Sequence, residues 1–170
     1  PSRLVGSEMC IRDSNYAISH YGFLLLQNTP IDKKVKNNIF KTYKAFFDLP
    51  FEEKNKVNMD LTSSNRGWGA QKGEQVNPDY NPDYKEIFDT GPHQKVKDEF
   101  RDLNYYAKNL WPEQLPLFEN TVNNYYDLCT QIGMHVLSFI ERSLDLSENF
   151  FRDKFENPMS LLRCNYYPPR

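Results

Sequence analysis

The closing stretch of this chain, Ser160-Leu161-Leu162-Arg163-Cys164-Asn165-Tyr166-Tyr167-Pro168-Pro169-Arg170, limits its possible folds more than any other. From Ser160 to Tyr167 apolar, aromatic and polar residues mix at roughly period two, the mark of a strand half buried in a sheet. Pro168 and Pro169 then forbid further ladder pairing, so the strand stops there. Period two puts Arg163, Asn165 and Tyr167 on one face and Tyr166 on the other. An amide, a phenol and a guanidinium on one face suit a small carboxylate ligand, because each donates hydrogen bonds in a set direction. The plainer account of the same pattern is a half-exposed strand with ordinary polar residues outward.

Helices supply the rest of the framework. Spacings of three and four join Phe118, Val122, Tyr125, Cys129, Ile132, Val136, Phe139 and Ile140, which predicts a helix from Leu117 to Leu144. Gly133 lies inside it at a cost of about 1 kcal/mol against alanine, and a close approach to a sheet would explain it. A second helix is expected over Ile31–Asp48, with Asp32 as N-cap and Val35, Ile39, Tyr43, Phe46 and Phe47 as its apolar stripe. Leu49-Pro50 ends it, and Pro50 with Glu52 and Glu53 opens a short helix directly afterwards.

Two further strands and a turn are readable. The apolar run Tyr21–Asn28 reads as a buried strand, and Asp83–Gly91 as a strand with Tyr84, Glu86 and Phe88 on one face. Glu86 reads as a structural ion pair or an edge charge, with no chemistry assigned. Asn65-Arg66-Gly67-Trp68-Gly69 reads as a glycine-dependent turn. Residues 75–84 are Asn-, Asp- and Pro-rich and read as loop. His93–Asn109 reads as loop with at most one short helix, and Phe150, Phe151 and Phe155 form a small apolar cluster.

Several of these segments, in order from about Tyr21 to Pro169, resemble the non-haem iron, 2-oxoglutarate-dependent oxygenases of the isopenicillin N synthase-like branch. Leu162-Arg163 with Asn165-Tyr166-Tyr167-Pro168 looks like the family's LR-x-NYYP strand. Phe46-Phe47 through Lys54 looks like FF-x-LP-x-EEK, and Asp83–Gly91 like D-x-KE-x-FD-x-G. Trp111–Phe118 is similar to WP-x-x-LP-x-F, and Gly22-Phe23 opens a segment like GFF-x-L-x-NHG, with Thr29-Pro30 in place of His-Gly. The resemblance implies an α+β chain: the N-terminal helical layer and first strands of a double-stranded β-helix, or jelly roll, truncated before the metal site. It further implies Fe(II) and 2-oxoglutarate as cofactors of the intact enzyme, dioxygen and a small-molecule substrate as partners, and hydroxylation, desaturation or ring closure as outcome. By the same resemblance Asn165 and Tyr167 would bind 2-oxoglutarate, while Arg66 and Trp68 would border the substrate. For those two the plainer account is a surface turn with an aromatic plug.

Other chemistry is scarce. None of His20, His93 and His135 begins a His-x-Asp or His-x-Glu, so no metal ligand is assigned, and no catalytic residue either. This chain itself is expected to bind neither cofactor and to be inactive. No nucleophile elbow, P-loop or dinucleotide fingerprint appears. A formal net charge of −2 gives no reason to expect nucleic acid or an anionic membrane as partner. No apolar run is long enough to span a bilayer. Cys10, Cys129 and Cys164 at wide spacing fit a reducing compartment, and a cytoplasmic location is expected.

The organisation expected is in three parts. Residues 1–14 resemble a translated sequencing adapter and are set aside from fold reasoning. Residues 15–157 form the N-terminal dioxygenase region, and 158–170 begin the jelly-roll core. Two rivals stay open: an isopenicillin N synthase-like oxidase that needs no 2-oxoglutarate, and a non-catalytic α+β interaction module.

Overall fold

The computed structural model describes residues 15–71, 84–94, 97–100 and 102–169. The expected adapter segment and most of the 75–84 loop lie outside them. The chain divides into two compact units. The smaller comprises the residues up to Lys34, which include the helical residues 15–21 (α1), together with Tyr126–Glu156. The larger comprises Val35–Tyr125 and the segment from Asn157.

The larger unit is built around a three-stranded antiparallel sheet of order β1-β2-β3, with β1 Gly67–Gly69, β2 Glu86–Thr90 and β3 Leu162–Tyr166. Its register pairs Trp68 with Phe88 and Phe88 with Cys164, so these three side chains share one face. Helix α2 (Lys33–Phe47) lays Ile39, Tyr43, Phe46 and Phe47 on that face, four of the five residues of the expected stripe. Between α2 and β1 the chain turns at Pro50 into the short helix α3 (Phe51–Asn55), with Glu52 and Glu53 in its first turn. The first turns of α4 (Phe118–Ser143) add Phe118 and Val122 to the core. Phe88 is the hub: its ring centroid lies 4.7 Å from Phe46 and 5.0 Å from Phe118, both edge to face. Tyr166 closes the cluster by stacking on Phe47 at 4.8 Å.

Within the expected turn at Asn65–Gly69, residues Gly67–Gly69 instead form an edge strand. Trp68 donates its backbone N–H to the Val57 carbonyl at 2.7 Å, which draws the chain against residue 57. Gly67 has φ +110°, and a Cβ there would fall 2.2 Å from the same carbonyl oxygen, so only glycine fits. The stretch expected to be loop after His93 carries two 3-10 turns, Asp98–Phe100 and Asn104–Tyr106.

The smaller unit departs most from expectation. Helix α1 takes in Tyr21, and residues 23–27 form no strand. Leu25 is 83% exposed and Phe23 68%. A strand is held by ladder bonds to a neighbour, and among the described residues none of the three strands pairs with this segment. The leucines instead face an open groove with Ile132, Val136 and Phe139 of α4. Buried Glu141 organises the end of α4, accepting the Phe151 N–H at 2.7 Å on its carboxylate and the Leu146 N–H at 2.9 Å on its carbonyl.

Gly133 has no close neighbour: a Cβ built there meets nothing within 4 Å. The expectation of a close sheet approach at this glycine is therefore corrected. Gly133→Ala should stabilise the protein by about 1 kcal/mol, because alanine fits the helical backbone and narrows the unfolded ensemble. A urea midpoint that failed to rise would show that the site is not open.

Candidate functional site

Two features of the larger unit could hold a ligand: the outward face of β3 and a cavity beside Arg66. The first follows from alternation. Leu162, Cys164 and Tyr166 pack against the core, so Arg163 and Asn165 point the other way. Asn165 is exposed and sits opposite Ile87 in the register. Tyr167 follows immediately after the strand and is 68% exposed, while Tyr166 is held on the core side by Phe47. The register separates Arg163 and Asn165 from Tyr166 as expected, while Tyr167 lies past its last pair.

Arg163 behaves differently from its two neighbours. It lies directly across from Asp89 and grips that carboxylate with both arms, Nε to Oδ1 at 2.8 Å and Nη2 to Oδ2 at 2.7 Å. Asp89 has no exposed side-chain surface and Arg163 has 29%. A bidentate fork of this kind is strong and directional, so the guanidinium is committed to the sheet.

The cavity, about 620 Å³, is walled by Ser63–Arg66, by Asp102–Tyr105, and by Met159 and Leu161 on the approach to β3. Arg66 is buried. Its Nη1 donates to the Asn65 carbonyl at 2.7 Å, and its Nη2 donates to the Tyr105 carbonyl. The guanidinium rests on Gly91, where a Cβ would sit 2.1 Å from Arg66 Cζ. Asn109 holds the backbone of that glycine, accepting its N–H at 2.9 Å and donating to its carbonyl at 3.0 Å. Sequence reasoning missed Gly91 and Asn109. The glycine closing the β2 motif was a usable signal for the first, and nothing in the pattern marked the second.

Trp68 does not border this cavity. It is 2% exposed, lies on the core face of the sheet, and donates Nε1–H to Glu86 Oε2 at 2.8 Å. The expectation of a pocket wall is corrected in favour of a plug, because β1 alternation turns residue 68 towards Phe88 and away from the opening. Glu86 also receives Lys54 Nζ at 2.7 Å, so it forms an ion pair with α3.

Nothing in the site fits a metal. Among the described residues no group of three His, Cys, Asp or Glu side chains could hold an ion. His20 stacks on Tyr16 with Nδ1 against the Tyr16 carbonyl at 2.9 Å, and His135 packs edge-on to Phe139. Neither histidine belongs to such a group among the described residues. Burial pushes the Cys164 thiol up to about 11, which disfavours the thiolate a nucleophile needs. No described helix is long and apolar enough to cross a membrane.

Comparison with known proteins bears on this geometry. Residues 7–114 match the family described as non-haem dioxygenase in morphine synthesis N-terminal. The chain is 31% identical to the proline hydroxylase buaE of Petromyces alliaceus, over 89% of this chain and 47% of that protein. Among solved structures it is similar to a Caulobacter crescentus protein of the 2OG-Fe(II) oxygenase family, at 26% identity and TM-score 0.84, over 96% of this chain and 53% of that one. It is also similar to a full-length Neurospora crassa protein solved in complex with alpha-KG, at 27% identity and TM-score 0.71, over 93% of this chain and 48% of that one. The chain spans about half the length of the curated relatives it matches.

Proposed function

Since the chain belongs to the non-haem dioxygenase N-terminal family, we propose that it is the N-terminal part of an Fe(II)/2-oxoglutarate-dependent oxygenase acting on a small molecule. The observation that supports this reading is the exposure of Asn165, on β3 opposite Ile87, and of Tyr167 just past the strand and before Pro168-Pro169. In this reading the Asn165 amide and the Tyr167 hydroxyl donate to the carboxylates of 2-oxoglutarate. Arg66 borders the substrate opening at the cavity floor, and Trp68 supports that wall from the core. Two cofactors supply the oxidising chemistry: Fe(II) held by residues beyond those described, and 2-oxoglutarate as reductant for dioxygen. The chain's own contribution is binding, orientation and exclusion of water.

Tyr167→Phe is the direct test. A hydrogen bond to a charged group contributes roughly 1.5–3 kcal/mol, so its loss should raise the Michaelis constant for 2-oxoglutarate about ten-fold or more in the full-length enzyme. The ring is retained and exposed, so the melting temperature should hold. Tyr166→Phe is the control, because that hydroxyl lies on the core side of the strand. An effect of Tyr166→Phe alone would place the co-substrate on the other face. No effect of either would remove β3 from the co-substrate wall.

A further inference from the structure

We propose that the Asp89–Arg163 pair is a register pin that presents Asn165 and Tyr167 to the co-substrate, and that Arg163 is a positioning residue and not a carboxylate ligand. The inference rests on the 2-oxoglutarate reading above and adds to it a role for two side chains that touch no ligand.

Three observations carry it. First, β3 pairs with β2 over the five residues Leu162–Tyr166, so that ladder sets the register of Asn165 against the described sheet. Slipping that ladder by one residue would turn Asn165 into the core and bring Tyr166 outward. Second, the pair spans directly opposed residues, Asp89 across from Arg163, which is the position where a cross-strand ion pair resists slippage most. Third, the two contacts form a fork, at 2.8 and 2.7 Å, on a carboxylate with no exposed surface. A register shifted either way would strand that carboxylate in the interior without its counter-ion, which is costly.

The face itself is arranged to leave the pin undisturbed. On the outward side β1 contributes only Gly67 and Gly69, opposite Asp89 and Ile87 respectively. No β1 side chain therefore competes for Asp89, and the next outward residue along β3 is Asn165.

The test uses the full-length gene product with two readouts: hydrogen exchange of the amides of residues 162–166, and the dissociation constant of 2-oxoglutarate itself under dioxygen-free conditions. The pin predicts that Asp89→Asn and Arg163→Gln act alike. Each should speed β3 exchange and weaken 2-oxoglutarate by about ten-fold, with the amides of α2 unchanged. Arg163→Lys keeps the charge without the fork and should fall between, which covers the case in which the other variants fold poorly.

Were Arg163 a ligand, Asp89→Asn would free it, leaving binding unchanged or tighter while Arg163→Gln weakened it. That asymmetry would overturn the proposal, as would unchanged β3 exchange in both variants. Wild-type protein that bound no 2-oxoglutarate would instead overturn the functional reading, and the exchange data alone would then decide the register role.

Discussion

Glu86→Ala is expected to destabilise the larger unit by about 3–5 kcal/mol, a large fraction of the total stability of a domain this size. One carboxylate oxygen, Oε2, receives both Lys54 Nζ at 2.7 Å and Trp68 Nε1–H at 2.8 Å. The side chains of Lys54 and Glu86 are only 10% and 8% exposed, so neither charge has ready access to water. Removing Glu86 leaves the ammonium with the Phe47 carbonyl at 3.2 Å and the Trp68 ring as its contacts among those described. The indole N–H loses its acceptor as well, which adds to the cost. Combining Lys54→Met with Glu86→Gln removes both charges while keeping an acceptor for Trp68. That double variant should be more stable than Glu86→Ala by several kcal/mol, on the order of the unpaired-charge penalty. Urea midpoints at unchanged slope are the measurement. A Glu86→Ala cost below about 1 kcal/mol would mean that water reaches the ammonium.

Phe88→Ala should be as severe, at about 3–5 kcal/mol, by a different mechanism. The ring is fully buried at the centre of the sheet and touches aromatic side chains from α2 and α4. Deleting it leaves a cavity between a strand and two helices that cannot all collapse inward at once. Phe40→Ala is the paired control. That phenylalanine is on α2 but 68% exposed, and its loss should change stability by no more than about 0.5 kcal/mol. Comparable losses at the two positions would mean that the apolar stripe of α2 has been placed on the wrong face.

These contrasts show what the sequence made legible. Period 3.6 located α2 and α4 to within two residues at each end, because long amphipathic patterns survive local noise. Period two assigned the faces of Arg163 to Tyr166 correctly because a strand closed by two prolines has few registers to choose from. The run Tyr21–Asn28 carried an equally good strand signal and is no strand, since composition specifies burial and not the partner that provides it. Trp68 misled for a related reason. The pattern left it as either a pocket wall or an aromatic plug, and three residues of edge strand turn it into the core. Arg163 and Asp89, or Lys54 and Glu86, could not have been paired from spacing, because their separations of 74 and 32 residues are closed by sheet pairing in the first case and by packing of α3 on the sheet in the second.

The measurement that tests the central reading most directly is succinate formation by the full-length gene product supplied with Fe(II), 2-oxoglutarate and dioxygen. The reading predicts succinate that requires all three, and none above a metal-free control from the chain of residues 1–170 alone. Folded, iron-loaded full-length protein that made no succinate would contradict it. So would dioxygen consumption that proceeded undiminished without 2-oxoglutarate, the behaviour of an isopenicillin N synthase-like oxidase.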